Sequence, residues 1–184
     1  MLRPTVWVSH AAALSIFPTF AAAMMASKEV FRPQVIIYTD GSSRGNPGPG
    51  GYGVVLMAGT LRKELAEGFR RTTNNRMELL AVIKGLEALK KPNTRVVVYS
   101  DSKYVVDAVE KGWLNGWLRN NFAGGKKNPD LWRRFHAIYK QHQVRFVWVK
   151  GHADNPYNNR CDELATSAAD GGNLLVDEEF EANN

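Results

Sequence analysis

The sequence predicts an α/β fold built on a five-stranded mixed sheet, three strands antiparallel and two more parallel, with helices on both faces. Three observations carry that prediction. Hairpin-type connections join the first three apolar segments in succession, which makes them an antiparallel meander. Beyond them, segments of helical period alternate with short buried-type strands, the pattern of parallel crossover units. The chain has 184 residues, 44% hydrophobic and 23% charged, enough for one core without disulfide or metal staples.

The elements follow in order. Residues 35–40, VIIYTD, form a β-branched and aromatic strand that stops at the glycine-rich stretch GSSRGNPGPGGYG, read as a loop. YGVVLM is the second strand and, after a turn at Gly59, LRKELAEGF the more polar third. From Thr73 the period changes: Met77, Leu80, Ala81, Leu86 and Leu89 recur at helical spacing until Pro92, predicting a helix of about four turns. TRVVVYS is a buried-type strand, DSKYVVDAVEKG a short helix closed by Gly112, and Trp113 to Asn128 an aromatic and basic segment. A helix runs from Asp130 through His142, VRFVWV is the last strand, and Asn158 to Ala169 the last helix.

The formal charge of +6 is unevenly spread. Residues 173–184 hold Asp177, Glu178, Glu179 and Glu181 with no Lys or Arg and are read as an acidic tail. Residues 28–172, expected to form one folded domain, carry 23 basic against 14 acidic residues, a net +9, which suits a polyanionic partner. One cysteine, Cys161, excludes an intramolecular disulfide framework and a cysteine-rich zinc site, and it fits a reducing compartment. Residues 1–27 have Arg3 as their only charged side chain and are rich in alanine. His10 and Pro18 interrupt the apolar run of a secretory signal, a single Arg is poor for an organelle transit peptide, and Pro18 argues against a membrane span. The segment is therefore read as a disordered hydrophobic leader or a non-native extension, with translation starting at Met24 or Met25. The expected compartment is the cytoplasm, or an organelle should residues 1–27 be a true transit segment.

Four carboxylates stand out. Asp40 and Asp101 end two strands that, if neighbouring and parallel, deliver both side chains to one sheet edge, where open α/β sheets place their sites. Glu78 lies one turn into the first long helix beside its apolar stripe, and Asp162 near the start of the last helix. Converging carboxylates repel one another, and a hard divalent cation, Mg²⁺ or Mn²⁺, relieves them. Singly, each has an ordinary alternative: Asp101 as a helix cap, Asp162 as a favourable charge in a first helical turn. The glycine-rich stretch lacks the GK[ST] ending of a P-loop and leads into a strand, which excludes an ATP site.

YTDGSSRGNPGPGGYG, RTTNNRMELLAVIKGLEAL, VYSDSKYVVDAV and VKGHADNPYNNRCDELA resemble, in order, the four motifs of type 1, bacterial-type ribonuclease H, over roughly Val35 to Ala169. The resemblance implies the ribonuclease H-like fold and an endoribonuclease that cuts the RNA strand of RNA/DNA hybrids, leaving 5′-phosphate and 3′-hydroxyl ends. It implies two Mg²⁺ ions, with Mn²⁺ as a substitute, held by Asp40, Glu78, Asp101 and Asp162, and His152 as a proton-transfer or product-release residue. It places Ser43, Asn46, Asn74 and Asn75 toward the hybrid's minor groove, where 2′-hydroxyls distinguish RNA, and Thr73 and Arg71 toward a DNA-strand phosphate. The segment from Trp113 is similar to the family's basic protrusion: Trp113, Trp117 and Phe122 would offer an aromatic platform and Arg119, Lys126 and Lys127 phosphate contacts. Trp113 and Trp117, at i and i+4, are equally readable as core residues of a helical hairpin, and at least one tryptophan is expected in each role. The protrusion is shorter and less basic than in well-known members, with Gly124 and Gly125 inside it, and Lys103 stands where a glutamine is common. A monomer without membrane attachment or obligate protein partner is expected, since one domain suffices for the site.

Overall fold

A computed structural model describes residues 30–151 and 155–183; the leader at residues 1–27 and His152 lie outside the described residues. Five strands, β1 (Val35–Ser43), β2 (Gly48–Ala58), β3 (Leu61–Thr72), β4 (Arg95–Ser100) and β5 (Gln143–Trp148), form one sheet in the order β3-β2-β1-β4-β5. β1, β2 and β3 pair antiparallel, whereas β4 runs parallel to β1 and β5 parallel to β4, the mixed sheet that the sequence predicts. The helices are α1 (Asn74–Glu87), α2 (Lys103–Glu110), α3 (Trp113–Arg119), α4 (Pro129–Tyr139), α5 (Pro156–Ala169) and α6 (Glu178–Ala182).

Side-chain alternation along β2 assigns the two layers. Val54 and, on β1, Ile37 face α1 at Gly85, in a core that includes Leu79, Ile83, Leu86, Val98, Trp132 and Phe135. Gly51 and Gly53 face the other way, against α5. A Cβ on Gly53 would lie 2.1 Å from the Cys161 carbonyl oxygen, so the helix rests on bare main chain. The glycine-rich stretch is for this reason mostly strand: β1 continues through Ser43, β2 begins at Gly48, and only residues 44–47 connect them. The loop reading holds only for residues 44–47, where Gly45 takes a positive φ, because Gly41, Gly51 and Gly53 serve close helix approach and not chain reversal.

The acidic segment after Asn173 packs onto the sheet edge, within the compact unit of residues 32–184. Leu175 bridges Phe69 in parallel, with Arg70 N donating to Leu175 O at 2.9 Å and Leu175 N to Gly68 O at 2.8 Å. Asp177 is buried and accepts from the Thr72 hydroxyl and from the Arg76 guanidinium, each at 2.7 Å. Arg76, itself buried, also pairs with Asp130 at 2.7 Å, tying the start of α1 to α4. The acidic tail read from composition is thus packed against β3 and α1. Other boundaries shift little: the helix expected to reach His142 ends at Tyr139, and β5 starts one residue early.

Candidate active site

The parallel pairing of β1 with β4 ends at Thr39 opposite Ser100, so Asp101 leaves β4 just where Asp40, still paired with Gly53 in β1, loses its β4 neighbour, and the two carboxylates lie side by side. α1 brings Glu78 to them, and Gly41 permits its approach: a Cβ there would lie 2.2 Å from Glu78 N. One carboxylate oxygen each from Asp40, Glu78 and Asp101 lies within 4.8 Å of the other two. Asp162 lies outside that trio, and its carboxylate nevertheless bears on Asp40 from α5, through like charge and hydrogen bonding.

Electrostatically the cluster is under-compensated. Burial first, then the charge of Asp101, pushes the Asp40 carboxyl up to about 8 despite a 2.8 Å hydrogen bond from Gly41 N. Burial, with the charges of Asp40 and Asp101, holds Glu78 well above the ordinary carboxylate range, and Asn74 Nδ2 offers its Oε1 only a long 3.4 Å bond. Glu78 Oε2 and Asp101 Oδ1 are buried without a hydrogen-bond partner. Buried acceptors are ordinarily satisfied, so two orphaned carboxylate oxygens in one cleft fit the missing positive charge of a cation. The donors are oxygen alone, which selects a hard ion such as Mg²⁺ or Mn²⁺ over zinc.

Two neighbours of Asp101 carry no signal in the sequence. Trp148, at the end of β5, donates its indole N–H to the Asp101 carbonyl at 3.0 Å, with the Lys103 ammonium 5.2 Å from its ring centroid. Gly151 lies against the carboxylate itself, since a Cβ there would stand 2.5 Å from Asp101 Oδ2. Asp101 caps no helix: the N-cap of α2 is Ser102.

Asn46 Oδ1 accepts from Asn74 N at 3.2 Å, capping α1 from the β1–β2 connection, and Asn74 in turn touches Glu78. Asn46, Arg71, Thr73, Asn75, Lys126 and Lys127 come together on the walls of one cleft of about 720 Å³. Ser43, at the end of β1 opposite Gly50, is half-buried and lies outside that lining. Trp113 and Arg119 are exposed on α3, with Lys111 5.0 Å from the Trp113 ring. Trp117 packs edge-on against core Trp132 at 5.5 Å, while Lys126 sits 5.6 Å from its ring. One tryptophan is thus outside and the other half inside. Phe122, expected on the platform, is buried beneath Arg133, because residues 121 and 122 adopt left-handed backbone that turns the ring inward.

Comparison with known proteins bears on this geometry. The ribonuclease H family model matches residues 32–170. The chain is 55% identical over 148 residues to the ribonuclease H of Syntrophus aciditrophicus (strain SB), covering 78% of this chain and 85% of the relative. It is 54% identical over 154 residues to that of Lachnoclostridium phytofermentans (strain ATCC 700394 / DSM 18823 / ISDg), covering 78% and 97%. Among solved structures it is similar to LC9-RNase H1, a type 1 enzyme with the type 2 active-site motif, at 33% identity and a TM-score of 0.70, over 82% of this chain and 80% of that one. It is similar too to LC11-RNase H1 in complex with an RNA/DNA hybrid, at 28% identity and a TM-score of 0.57, over 74% and 96%.

Proposed function

This chain belongs to the ribonuclease H family, and on that premise we propose that it is an endoribonuclease hydrolysing the RNA strand of RNA/DNA hybrids, leaving 5′-phosphate and 3′-hydroxyl ends. The observation that carries the reading is the convergence of Asp40, Glu78 and Asp101 with two orphaned buried oxygens among them. Asp40, Glu78, Asp101 and Asp162 would hold two Mg²⁺ ions, for which Mn²⁺ can substitute. Asp40 would be the ligand common to both, since its carboxylate meets those of Glu78 and Asp101 and also feels that of Asp162 from α5. Bound there, the ions supply Lewis acidity that lowers the pKa of the attacking water and neutralises charge developing at the scissile phosphate.

The protein's own groups do the rest. Asp162 faces the nucleophile side, and Glu78 and Asp101 the side of the departing 3′ oxygen. Trp148 and Gly151 keep Asp101 in place through its main chain and its carboxylate face. His152 follows Gly151 directly in the sequence and takes the role of a proton-transfer or product-release residue. Asn46, Asn74 and Asn75 read the wide minor groove, where amides both donate to and accept from 2′-hydroxyls. Arg71, Thr73, Lys126 and Lys127 engage the DNA strand's phosphates, and Trp113, Trp117 and Arg119 extend that contact.

We read the working unit as a monomer, because one domain suffices to supply the residues assigned to the site. Among the described residues no helix is long and apolar enough to cross a membrane. The cytoplasm is the proposed compartment, since the lone Cys161 is free and buried, as a reducing milieu allows. The decisive experiment is cleavage of an end-labelled RNA/DNA hybrid beside single-stranded RNA, RNA duplex and DNA duplex, with Mg²⁺, Mn²⁺ or chelator. Cutting of the hybrid's RNA alone, only with metal and not by Asp40→Asn, is the expected result. A folded protein that leaves the hybrid intact under both metals would refute the proposal.

A further inference from the structure

The acidic C-terminal segment has no part in the chemistry above, yet Glu179 and Phe180 line the same cleft as Arg71, Lys126 and Lys127. The segment is fixed there by four ties, two of which share Arg76. Leu175 adds a bridge to the β3 edge, Asp177 accepts from Thr72 and Arg76, and Glu181 pairs with Arg70 at 2.7 Å. Lastly, the Phe180 ring lies 5.7 Å from the Arg71 guanidinium and 5.4 Å from that of Arg76. The two arginines sit differently. Arg76 is buried and doubly paired with Asp130 and Asp177, which makes it a brace. Arg71 is half-buried on the cleft wall, opposite the two exposed lysines. An aromatic face beside a guanidinium restrains its plane without itself taking an N–H donor.

We infer that this segment is a wall of the polynucleotide site, in which Phe180 is a positioning residue that orients Arg71 toward a backbone phosphate and Glu179 limits how tightly that phosphate is held. The inference rests on the nuclease reading above and adds to it a device for moderating grip. The wall carries a carboxylate into a cationic cleft, so a polyanion is both held and repelled at one place. The arrangement favours release of a long substrate after contact, at a cost in affinity.

The test is equilibrium binding of a fluorescent RNA/DNA hybrid to the full chain in chelator, with steady-state cleavage in Mg²⁺ and metal-free melting measured alongside. Phe180→Leu keeps an apolar cover and removes the ring face. It should weaken binding and raise KM roughly 3- to 10-fold with kcat unchanged, and Phe180→Tyr should restore both. Glu179→Gln should tighten binding about 2-fold or more at low salt, whereas Glu178→Gln, an equal charge change outside the cleft lining, should do less than half of that. Binding by Phe180→Leu equal to wild type, a loss in kcat instead of KM, or no rescue by Phe180→Tyr would overturn the wall. Should Phe180→Leu not fold, Glu179→Gln decides, and unchanged affinity there counts against it. Wild-type protein that neither binds nor cuts the hybrid refutes the nuclease reading; wild type that does both while Phe180→Leu is indistinguishable refutes only the wall.

Discussion

The two halves of the proposed site are built on opposite principles. Where β1 parts from β4, negative charge is packed into a buried cleft: Asp40 and Glu78 are under a tenth exposed, and their carboxylates converge with that of Asp101. Around the cleft formed by α1, α4 and α6, positive charge sits on exposed or half-exposed chains and is restrained by aromatic rings, Lys126 at Trp117 and Arg71 at Phe180. The first region is held by main-chain register, the second by side-chain contacts that water can enter. A buried cluster of like charges stores repulsion that only a ligand relieves, whereas a hydrated cationic rim gains affinity one phosphate at a time. Substitutions should therefore act steeply in the first region and gradually in the second.

The steepest break is Asp40→Asn. Hybrid cleavage in Mg²⁺ should fall by on the order of 10³-fold or more, with hybrid binding retained, in a single-turnover assay. The same variant tests the stored repulsion. Asp40 ordinarily titrates near 3.8 and here near 8, so between those values the folded chain holds a proton that the unfolded chain gives up. The Asp40 contribution to metal-free stability is consequently least unfavourable below its ordinary value and becomes steadily more unfavourable as pH rises toward 8. Asp40→Asn should melt higher than wild type at pH 8, by at least about 1 kcal/mol, and the gap should close near pH 4. Melting curves in chelator that show no gap at pH 8 would contradict the electrostatic account. The melting increment produced by Mg²⁺ in wild type should grow over the same interval, because ligands bind metal only when deprotonated.

Next in size is Gly53→Ala, which forces α5 off the sheet and should destabilise by about 3 kcal/mol or more in urea unfolding. Trp148→Phe and Gly151→Ala act one step from the ligands. Each should weaken Mn²⁺ binding about 10-fold or more by direct titration, with KM for the hybrid little changed. On the gradual side, the double variant Lys126→Ala with Lys127→Ala should leave kcat intact, raise KM several-fold and lower the slope of log affinity against log salt by about one to two. Arg119→Ala, exposed and outside the cleft lining, should change KM by less than about 2-fold. A steep loss of kcat from either rim change would erase the distinction between the two regions.

What the chain disclosed beforehand divides along similar lines. Strand direction was legible because hairpin spacing makes β1 to β3 antiparallel and crossover helices make β4 and β5 parallel, whereas the order that sets β4 beside β1 was only a condition of the reading. The meeting of Asp40, Glu78 and Asp101 was legible for the same reason, since strand ends and one helical stripe suffice to aim them. The glycines of β2 misled because local propensity reports a loop, while their use depends on a helix more than a hundred residues away. The acidic segment misled because composition reports solubility and is silent about Arg76, whose burial creates the demand for Asp177. Trp148 was visible only as a strand residue; that its indole reaches the Asp101 carbonyl is a tertiary fact.

The contact of α5 with bare strand has a last consequence. Most helix-to-sheet spacings are set by interlocking side chains, which exchange rotamers and can be repacked a methyl group at a time. Here carbonyl oxygens of Cys161 and Ala165 lie over Gly53 and Gly51, so the gap is set by the hard radii of main-chain atoms. Such a spacer has no adjustable part. The offset between Asp162 on the helix and Asp40 on the neighbouring strand is thereby a machined dimension, insulated from thermal side-chain motion and from drift in the hydrophobic core on the sheet's other face.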